Sequence, residues 1–573
     1  MQIKTKKDPT LRAQPGPAIR RSSVFAYLWG ERLPLAIIVG FFLLSCLLVS
    51  PLKNVPVIDD WTYAWSVENF IKTHHLAVLD WSAHYPIFQT LWGGLFSLVF
   101  GFSFGVLRIS TVVLAAAGCA ALYLTFRELE IERWPSLVGA LILAVNPIFF
   151  VLSFSFMTDV PFLSLMNIAA FFFVAGIKRD RASLLWFGGL CAVAAYLCRQ
   201  IGLVIPLALL PCLVQRRGGW PGILKRALPM LGSLAVVGLL WRWEVKTFGR
   251  TSVMKEKMEA LDYLFPIGFG HFIKESIEDL ALNAFWVSPI LLAAISIKRK
   301  WWPLLIIAMA LVSVAVMHFG FKQIIYPLES EGTWNVDELG SARGLMHGEN
   351  WARTHVHALI AVLRWLMIAA WGVLLAGLVT WGIKHRKQMI AISWIHDFSR
   401  HPAMVLMTMA LLNLILIDKL WFFYDRYYIV LLPAVIYLSL KVAAQWGFSR
   451  VIALSGTLIL ALVSIAGTAD MLRFDQAAWD TYYELRAAGV PASDIDAGYA
   501  INGWMLYAHP ENLSAGSDPK EDVPFITGDD DLLYKISTSA SNDADYETVK
   551  EKPIRMPFWS VSNKLYVLRK REE

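Results

Sequence analysis

Long apolar runs separated by short polar connections dominate the chain. The longer runs hold about 20 residues, enough to cross roughly 30 Å of hydrocarbon. The first, Leu33 to Leu52, follows a tail carrying Lys4, Lys6, Lys7, Arg12, Arg20, Arg21 and Arg32. That tail is longer than a secretory n-region and no small-residue cleavage site follows the run, so a retained helix is expected. Pro86 to Phe100 is also apolar, but at about 15 residues it is too short for an easy crossing. Bounded by Tyr85-Pro86 and Gly101, it predicts a helix lying flat along the outer interface. Further spans are then expected near 105–127, 134–152, 159–177, 183–199, 201–214, 224–246, 281–297, 301–318, 359–383, 403–420, 425–443 and 451–468. This arrangement puts Arg127 and Arg133, then Lys178, Arg179 and Arg181, then Arg216 and Arg217 in inner loops. It does the same for Lys298, Arg299 and Lys300, for Lys384, Arg386 and Lys387, and for Arg450. Counting the short run as a span would invert every cluster, so the positive-inside rule favours about 13 crossings.

The outer side then receives a first loop at 53–104, a loop near 247–280, a long loop at 319–358, and everything from residue 469 onward. In that last stretch acids outnumber bases, Ser and Gly are frequent, and no run is able to span. Strand-like pieces at Ala497 to Leu506 and Pro557 to Leu568, with a helix at Asp475 to Ala488, predict a small α/β module. The expected architecture is an all-α multi-spanning membrane protein with interfacial helices in its first outer loop and a small C-terminal extracytoplasmic α/β domain. Its parts are a basic cytoplasmic tail 1–32, a transmembrane domain 33–468 and a soluble domain 469–573.

Composition agrees: 57% of residues are hydrophobic and only 17% charged, against about a quarter in soluble domains. The net charge of +7 sits in short connections between apolar runs, which marks a cytoplasmic face and argues against a nucleic-acid partner. Cys46, Cys119, Cys191, Cys198 and Cys212 all lie inside apolar runs without CxxC spacing, so neither a disulfide framework nor a cysteine metal site is expected.

Candidate chemistry gathers where spans end on the outer side. Asp59 and Asp60, in VIDDWTYAWSVENF, are adjacent carboxylates where the first span emerges. They suit a general base with its electrostatic partner or a shared cation site, and equally a helix cap. Asp159, in SFSFMTDVPFL, starts a later span and reads either as a cap or as a functional acid. Arg199, in YLCRQIGL, sits in a hairpin with almost no loop, so its planar fork of donors either binds phosphate or snorkels to headgroups. Arg108 has the same two readings. Arg426 and Tyr427 share a tight outer turn with Lys419, Asp425 and Tyr428, and His84-Tyr85-Pro86 opens the interfacial helix. His347, His355 and His357 show no metal-site spacing.

Together these segments resemble the C-type (GT-C) glycosyltransferases, membrane enzymes that use polyprenyl-phosphate sugars. The resemblance is carried by the Asp59-Asp60 pair, the Pro86 helix, FGVLRISTVVLAAAGCAALYLTFREL, NPIFFVLSFSFMTDVPFL, LCRQIGL and DRYYIVLLP. It is nearest to the protein O-mannosyltransferases and the lipid A aminoarabinose transferases. It implies a sugar moved from a polyprenyl-phosphate donor to an acceptor hydroxyl on a glycan, lipid or protein, at the outer face of a bacterial inner membrane. Asp59 then resembles the catalytic acid, Asp60 its neighbour, Asp159 a further active-site acid, and Arg426-Tyr427 the family's late Arg-Tyr pair. Arg199 stands where relatives often have Lys, near the donor phosphate. Relatives often read Lys-Pro-Pro where this chain has His84-Tyr85-Pro86, so the phosphate's cation is sought at Arg199 or Arg108. The implied step is one inverting displacement; it requires no cofactor, and a divalent cation (Mg or Mn) bridging acid and phosphate is compatible with it. The alternative is a transporter or flippase of a lipid-linked or small polar substrate, which also places acids and Arg within a bundle but ordinarily shows inverted repeats that this chain lacks.

Overall fold

The computed structural model describes residues 29–213, 219–256, 283, 285–294, 298–318, 350–389, 401–417, 425–523, 532–537, 540, 545–554 and 564–571. The basic tail before Trp29, residues 257–282 and most of the long loop expected at 319–358 lie outside them. The chain is an integral membrane protein. Among the described residues seven helices are long and apolar enough to cross a bilayer, or eight if one bent pair forms a single span.

The helices are α1 (Arg32–Val49), α2 (Asp60–Thr73), α3 (Ile87–Phe100), α4 (Phe104–Glu128), α5 (Arg133–Val145), α6 (Pro147–Ser153), α7 (Asp159–Arg179) and α8 (Ala182–Cys198). They continue as α9 (Gly219–Phe248), α10 (Trp302–His318), α11 (Asn350–Met389), α12 (Met404–Ile417), α13 (Leu432–Gln445) and α14 (Arg450–Ala487). Leu43, Leu44 and Leu47 of α1 are exposed, a surface that suits hydrocarbon rather than water. The short run at 86–100 forms α3, whose Leu91, Leu95 and Leu98 are likewise exposed. Between α5 and α6 the axis bends by 65°. Pro147 has no N–H to give the ladder, and the Asn146 side chain accepts from Phe149 N at 2.9 Å to start the new helix. α4 and α7 approach closely: a Cβ on Gly118 would lie 2.6 Å from Ser164 Cα. Glycine there lets the two backbones meet, as small residues do in membrane bundles.

Two expected elements differ. Residues 201–214 form no single helix: the turns Gln200–Val204 and Pro206–Leu209 precede a four-residue helix, Leu210–Leu213. Pro206 and Pro211 have no N–H to give a continuous α-helical ladder. Ala497 to Leu506 is not a strand but a helix at Tyr499–Asn502 followed by a wider turn at Gly503–Tyr507. The Asn502 side chain closes this turn, accepting from Ala497 N at 3.0 Å and donating to Asp496 Oδ1 at 2.7 Å. The helix expected at 475–488 is the last part of α14, which runs unbroken through residue 469. Beyond it a four-stranded sheet, β1 (Ile495–Asp496), β2 (Tyr534–Ser537), β3 (Tyr546–Pro553) and β4 (Lys564–Lys570), is ordered β1-β2-β4-β3. β1 and β2 pair parallel and the other pairs antiparallel. Lys550 and Lys552 tie β3 to Glu484 of α14 at 2.9 and 2.8 Å.

Ion pairs mark one end of the bundle. Glu31 receives Arg127 and Arg133, each at 3.1 Å, Arg179 meets Glu128, Lys178 meets Glu130 at 3.1 Å, and Lys225 meets Asp180 at 3.2 Å. Because α1 and α8 run away from that end and α4 and α7 run toward it, Asp59, Asp159, Arg199 and the start of α4 lie at the other end. The segment 499–523 lies there too: His509 meets Glu68 of α2 at 3.1 Å and Lys520 meets Asp80 at 2.7 Å.

Candidate active site

Asp59 is presented by a tight turn. Ile58 before it has φ +55, a left-handed conformation uncommon for a β-branched residue. Asp59 takes the N-cap position of α2, yet its side chain caps nothing. Instead Oδ2 accepts from Arg426 Nη2 at 2.9 Å and Oδ1 from the Tyr499 hydroxyl at 2.5 Å. The carboxylate remains 25% exposed.

Asp60 does the structural work its neighbour leaves undone. It is fully buried and accepts from Val57 N at 2.8 Å and Phe156 N at 3.2 Å, tying the start of α2 to the bend before α7. Burial pushes its carboxyl up to about 7, against the opposing pull of Arg108 and the two N–H donors. Neither acid lines the cavity described next; the two differ in that Asp59 keeps a quarter of its side chain exposed while Asp60 is enclosed.

Asp159, the first residue of α7, pairs with Arg199. Arg199 ends α8 in an extended conformation and turns its guanidinium over the Tyr427 ring, 5.2 Å from the centroid. Arg426 lies 5.8 Å from the same ring. Tyr63 of α2 feels the charges of Asp59, Arg199, Arg426 and Asp159. The two acid–arginine pairs thus converge at one end of the bundle, both guanidiniums within 5.8 Å of the Tyr427 ring centroid.

Beside them opens a cavity of about 670 Å³, within the usual range for a small-molecule site. His84, Asp159, Tyr196, Arg199, Gln200, Arg250, Arg426 and Tyr427 supply its polar wall. Phe162, Leu234, Val237, Trp241, Ile417 and Val430 line the apolar remainder. Asp59 stands behind Arg426 and reaches the cavity through it. Three arginines and Asp159 line it; Asp159 pairs with Arg199 and Asp59 with Arg426, so positive charge exceeds negative by one beside the apolar chamber. Anionic head with greasy tail is the complementary ligand.

Of the other candidates, His84 lines the cavity while Arg108 and Tyr85 do not. Arg108 is fully buried and donates to the carbonyls of Pro51 at 3.3 Å, Lys53 at 2.5 Å and Val55. It pins the turn after α1 and is no phosphate ligand in this arrangement. His84 packs on Tyr63, ring centroids 5.2 Å apart, and does line the cavity. Tyr85 is buried in a separate aromatic cluster with Trp241 and Phe248, its hydroxyl on the Gly249 carbonyl. The Asp425 side chain and Lys419 lie outside the described residues. Sequence reasoning missed Arg250, although a base just beyond the 224–246 run was visible. It also missed Tyr499, for which no local signal exists.

Among the described residues no three His, Cys, Asp or Glu side chains converge as metal ligands. Asp159 and Asp59 are each paired with an arginine.

Residues 85–243 match the family described as dolichyl-phosphate-mannose-protein mannosyltransferase. The match takes in Arg108, Asp159 and Arg199; Asp59, Arg426 and Tyr499 lie beyond it. No curated protein matches the chain. Among solved structures, ArnT from Cupriavidus metallidurans bound to undecaprenyl phosphate is 13% identical, with 95% of this chain and 98% of that one covered and a TM-score of 0.39. Archaeal oligosaccharyltransferase AglB from Archaeoglobus fulgidus is 14% identical over 87% of this chain and 61% of its own, with a TM-score of 0.43. The S. cerevisiae protein O-mannosyltransferase Pmt1-Pmt2 complex is 18% identical over 39% of this chain, which spans 34% of that one, with a TM-score of 0.33.

Proposed function

We propose that this glycosyltransferase takes its sugar from a polyprenyl-phosphate donor and transfers it to an acceptor hydroxyl with inversion. The observation that carries the reading is the cavity wall, where Arg199, Arg250 and Arg426 outnumber the carboxylates Asp159 and Asp59 beside an apolar chamber. A phosphodiester on a long isoprenoid has that complementary form: anionic head, greasy tail. Asp59 accepts the acceptor's hydroxyl proton as the acceptor oxygen bonds to the sugar's anomeric carbon. The anomeric C–O bond to phosphate breaks in the same displacement, and polyprenyl phosphate leaves with the electron pair. Phosphate is a competent leaving group without full protonation, so one base and fixed positive charge suffice. Asp159 acts through Arg199, holding its guanidinium at the wall. The step is written without a divalent cation. Basic clusters at the opposite end of the bundle support an orientation with this site and the C-terminal segment outward, in a bacterial inner membrane toward the periplasm.

The test is a panel of undecaprenyl-phosphate sugars given to the purified protein, following release of undecaprenyl phosphate with each of a glycan, a lipid and a protein acceptor. Wild type is expected to consume one donor, and Asp59→Asn to lose turnover by about 10²–10⁴-fold with normal membrane insertion. Movement of the lipid across a liposome without release of undecaprenyl phosphate would support the flippase reading instead.

A further inference from the structure

We infer that Tyr499, carried by the C-terminal segment, is a positioning residue for transfer: held by Trp81, it holds Asp59. The inference rests on Asp59 being the base. The observation is a directed hydrogen-bond chain. Trp81 Nε1 donates to the Tyr499 hydroxyl oxygen at 2.8 Å, and Tyr499 donates its own proton to Asp59 Oδ1 at 2.5 Å. An indole N–H can only donate, so the phenol is left with its hydrogen pointing at the carboxylate. Tyr499 is 37% exposed, and its hydroxyl is engaged by both Trp81 and Asp59. Burial and the neighbouring Asp59 charge hold the phenol well above its ordinary range, so it remains a donor. Arg426 Nη2 holds the other oxygen at 2.9 Å. Gripped at both oxygens, the carboxylate cannot swing about its broad terminal torsion, and its remaining lone pairs keep one direction toward the acceptor.

The segment that brings Tyr499 is seated rather than draped. Trp61 of α2 is fully buried, with the Tyr499 and Tyr507 rings edge-on at 6.1 and 5.7 Å. Gly503 lies so close that a Cβ there would stand 2.3 Å from Trp61 Cε2, which only glycine avoids. Trp504 stacks on Phe102 at 6.1 Å, and His509 reaches Glu68. The donor cavity, by contrast, is walled by residues between 83 and 430 alone. Tyr499 therefore acts on turnover and leaves donor binding to other residues.

The experiment uses the full-length protein in detergent. Turnover is release of undecaprenyl phosphate from the donor that wild type consumes, and undecaprenyl phosphate itself is the binding probe. Tyr499→Phe keeps the ring on Trp61 and is expected to lower kcat about tenfold, with donor KM and probe affinity within about twofold of wild type. Trp81→Phe should lower kcat less, and the double variant should fall no further than Tyr499→Phe, because both break one chain. Wild-type turnover in Tyr499→Phe beside a dead Asp59→Asn overturns the positioning role and leaves the base in place. Wild-type turnover in Asp59→Asn fails the base assignment itself. If Tyr499→Phe weakens probe binding as much as kcat, the ring merely props the cavity and the inference falls. Should Tyr499→Phe not fold, Trp81→Phe decides alone: a loss confined to kcat supports the chain, and no loss overturns it.

Discussion

Arg199→Gln perturbs two things at once, and the structure separates them. Asp159 is 3% exposed and Arg199 20%, so the substitution strands a carboxylate with little water to replace its cation. Breaking a fully buried pair costs about 3–5 kcal/mol, and access to water on the cavity side puts this one near the low end. The second effect is on the donor. A hydrogen bond to a charged group contributes about 1.5–3 kcal/mol, so undecaprenyl phosphate should bind about 10- to 100-fold more weakly. Asp159→Asn combined with Arg199→Gln removes both charges, and should recover most of the lost stability but none of the lost affinity. Thermal melting in detergent reads the first quantity, and calorimetric titration with undecaprenyl phosphate the second. A double variant that binds undecaprenyl phosphate as tightly as wild type would place the phosphate elsewhere. A single variant as stable as wild type would refute the buried pair.

Two further substitutions test the residues read as structural. Arg108→Gln, which takes a guanidinium from three carbonyls around the turn after α1, should lower stability by about 3 kcal/mol or more while the folded fraction binds undecaprenyl phosphate normally; a selective loss of binding in thermally stable protein would return Arg108 to the site. Asp60 has its carboxyl raised from 3.8 to about 7 by burial, with Arg108 opposing and Asp475 adding to the rise. Its contribution to stability is therefore complete below about pH 4 and lost as pH rises through about 7. Asp60→Asn cannot ionise, so its melting temperature should fall less than that of wild type between about pH 5 and 8; parallel curves would show that Asp60 does not titrate there.

Why the sequence separates some of these residues and not others follows from the range of the interactions. The spans at 105–127 and 159–177 are legible because apolar runs report directly on hydrocarbon, and α4 and α7 match them within a few residues. The bend at Asn146-Pro147 is equally local. Arg108 and Arg199, however, offer identical signals, each a guanidinium at the outer end of an apolar run. What distinguishes them is a partner: the carbonyls of 51–55 close over Arg108, whereas Asp159 leaves Arg199 facing the cavity. The adjacent acids divide in the same way, since Asp60 finds two backbone N–H groups and Asp59 finds a guanidinium and a phenol. That phenol lies 440 positions away, in a stretch whose alternating apolar pattern reads as a strand until Asn502 turns it into helix. Local chemistry nominates the ionisable residues at the ends of the apolar runs; only long-range packing decides which of them turn toward the cavity.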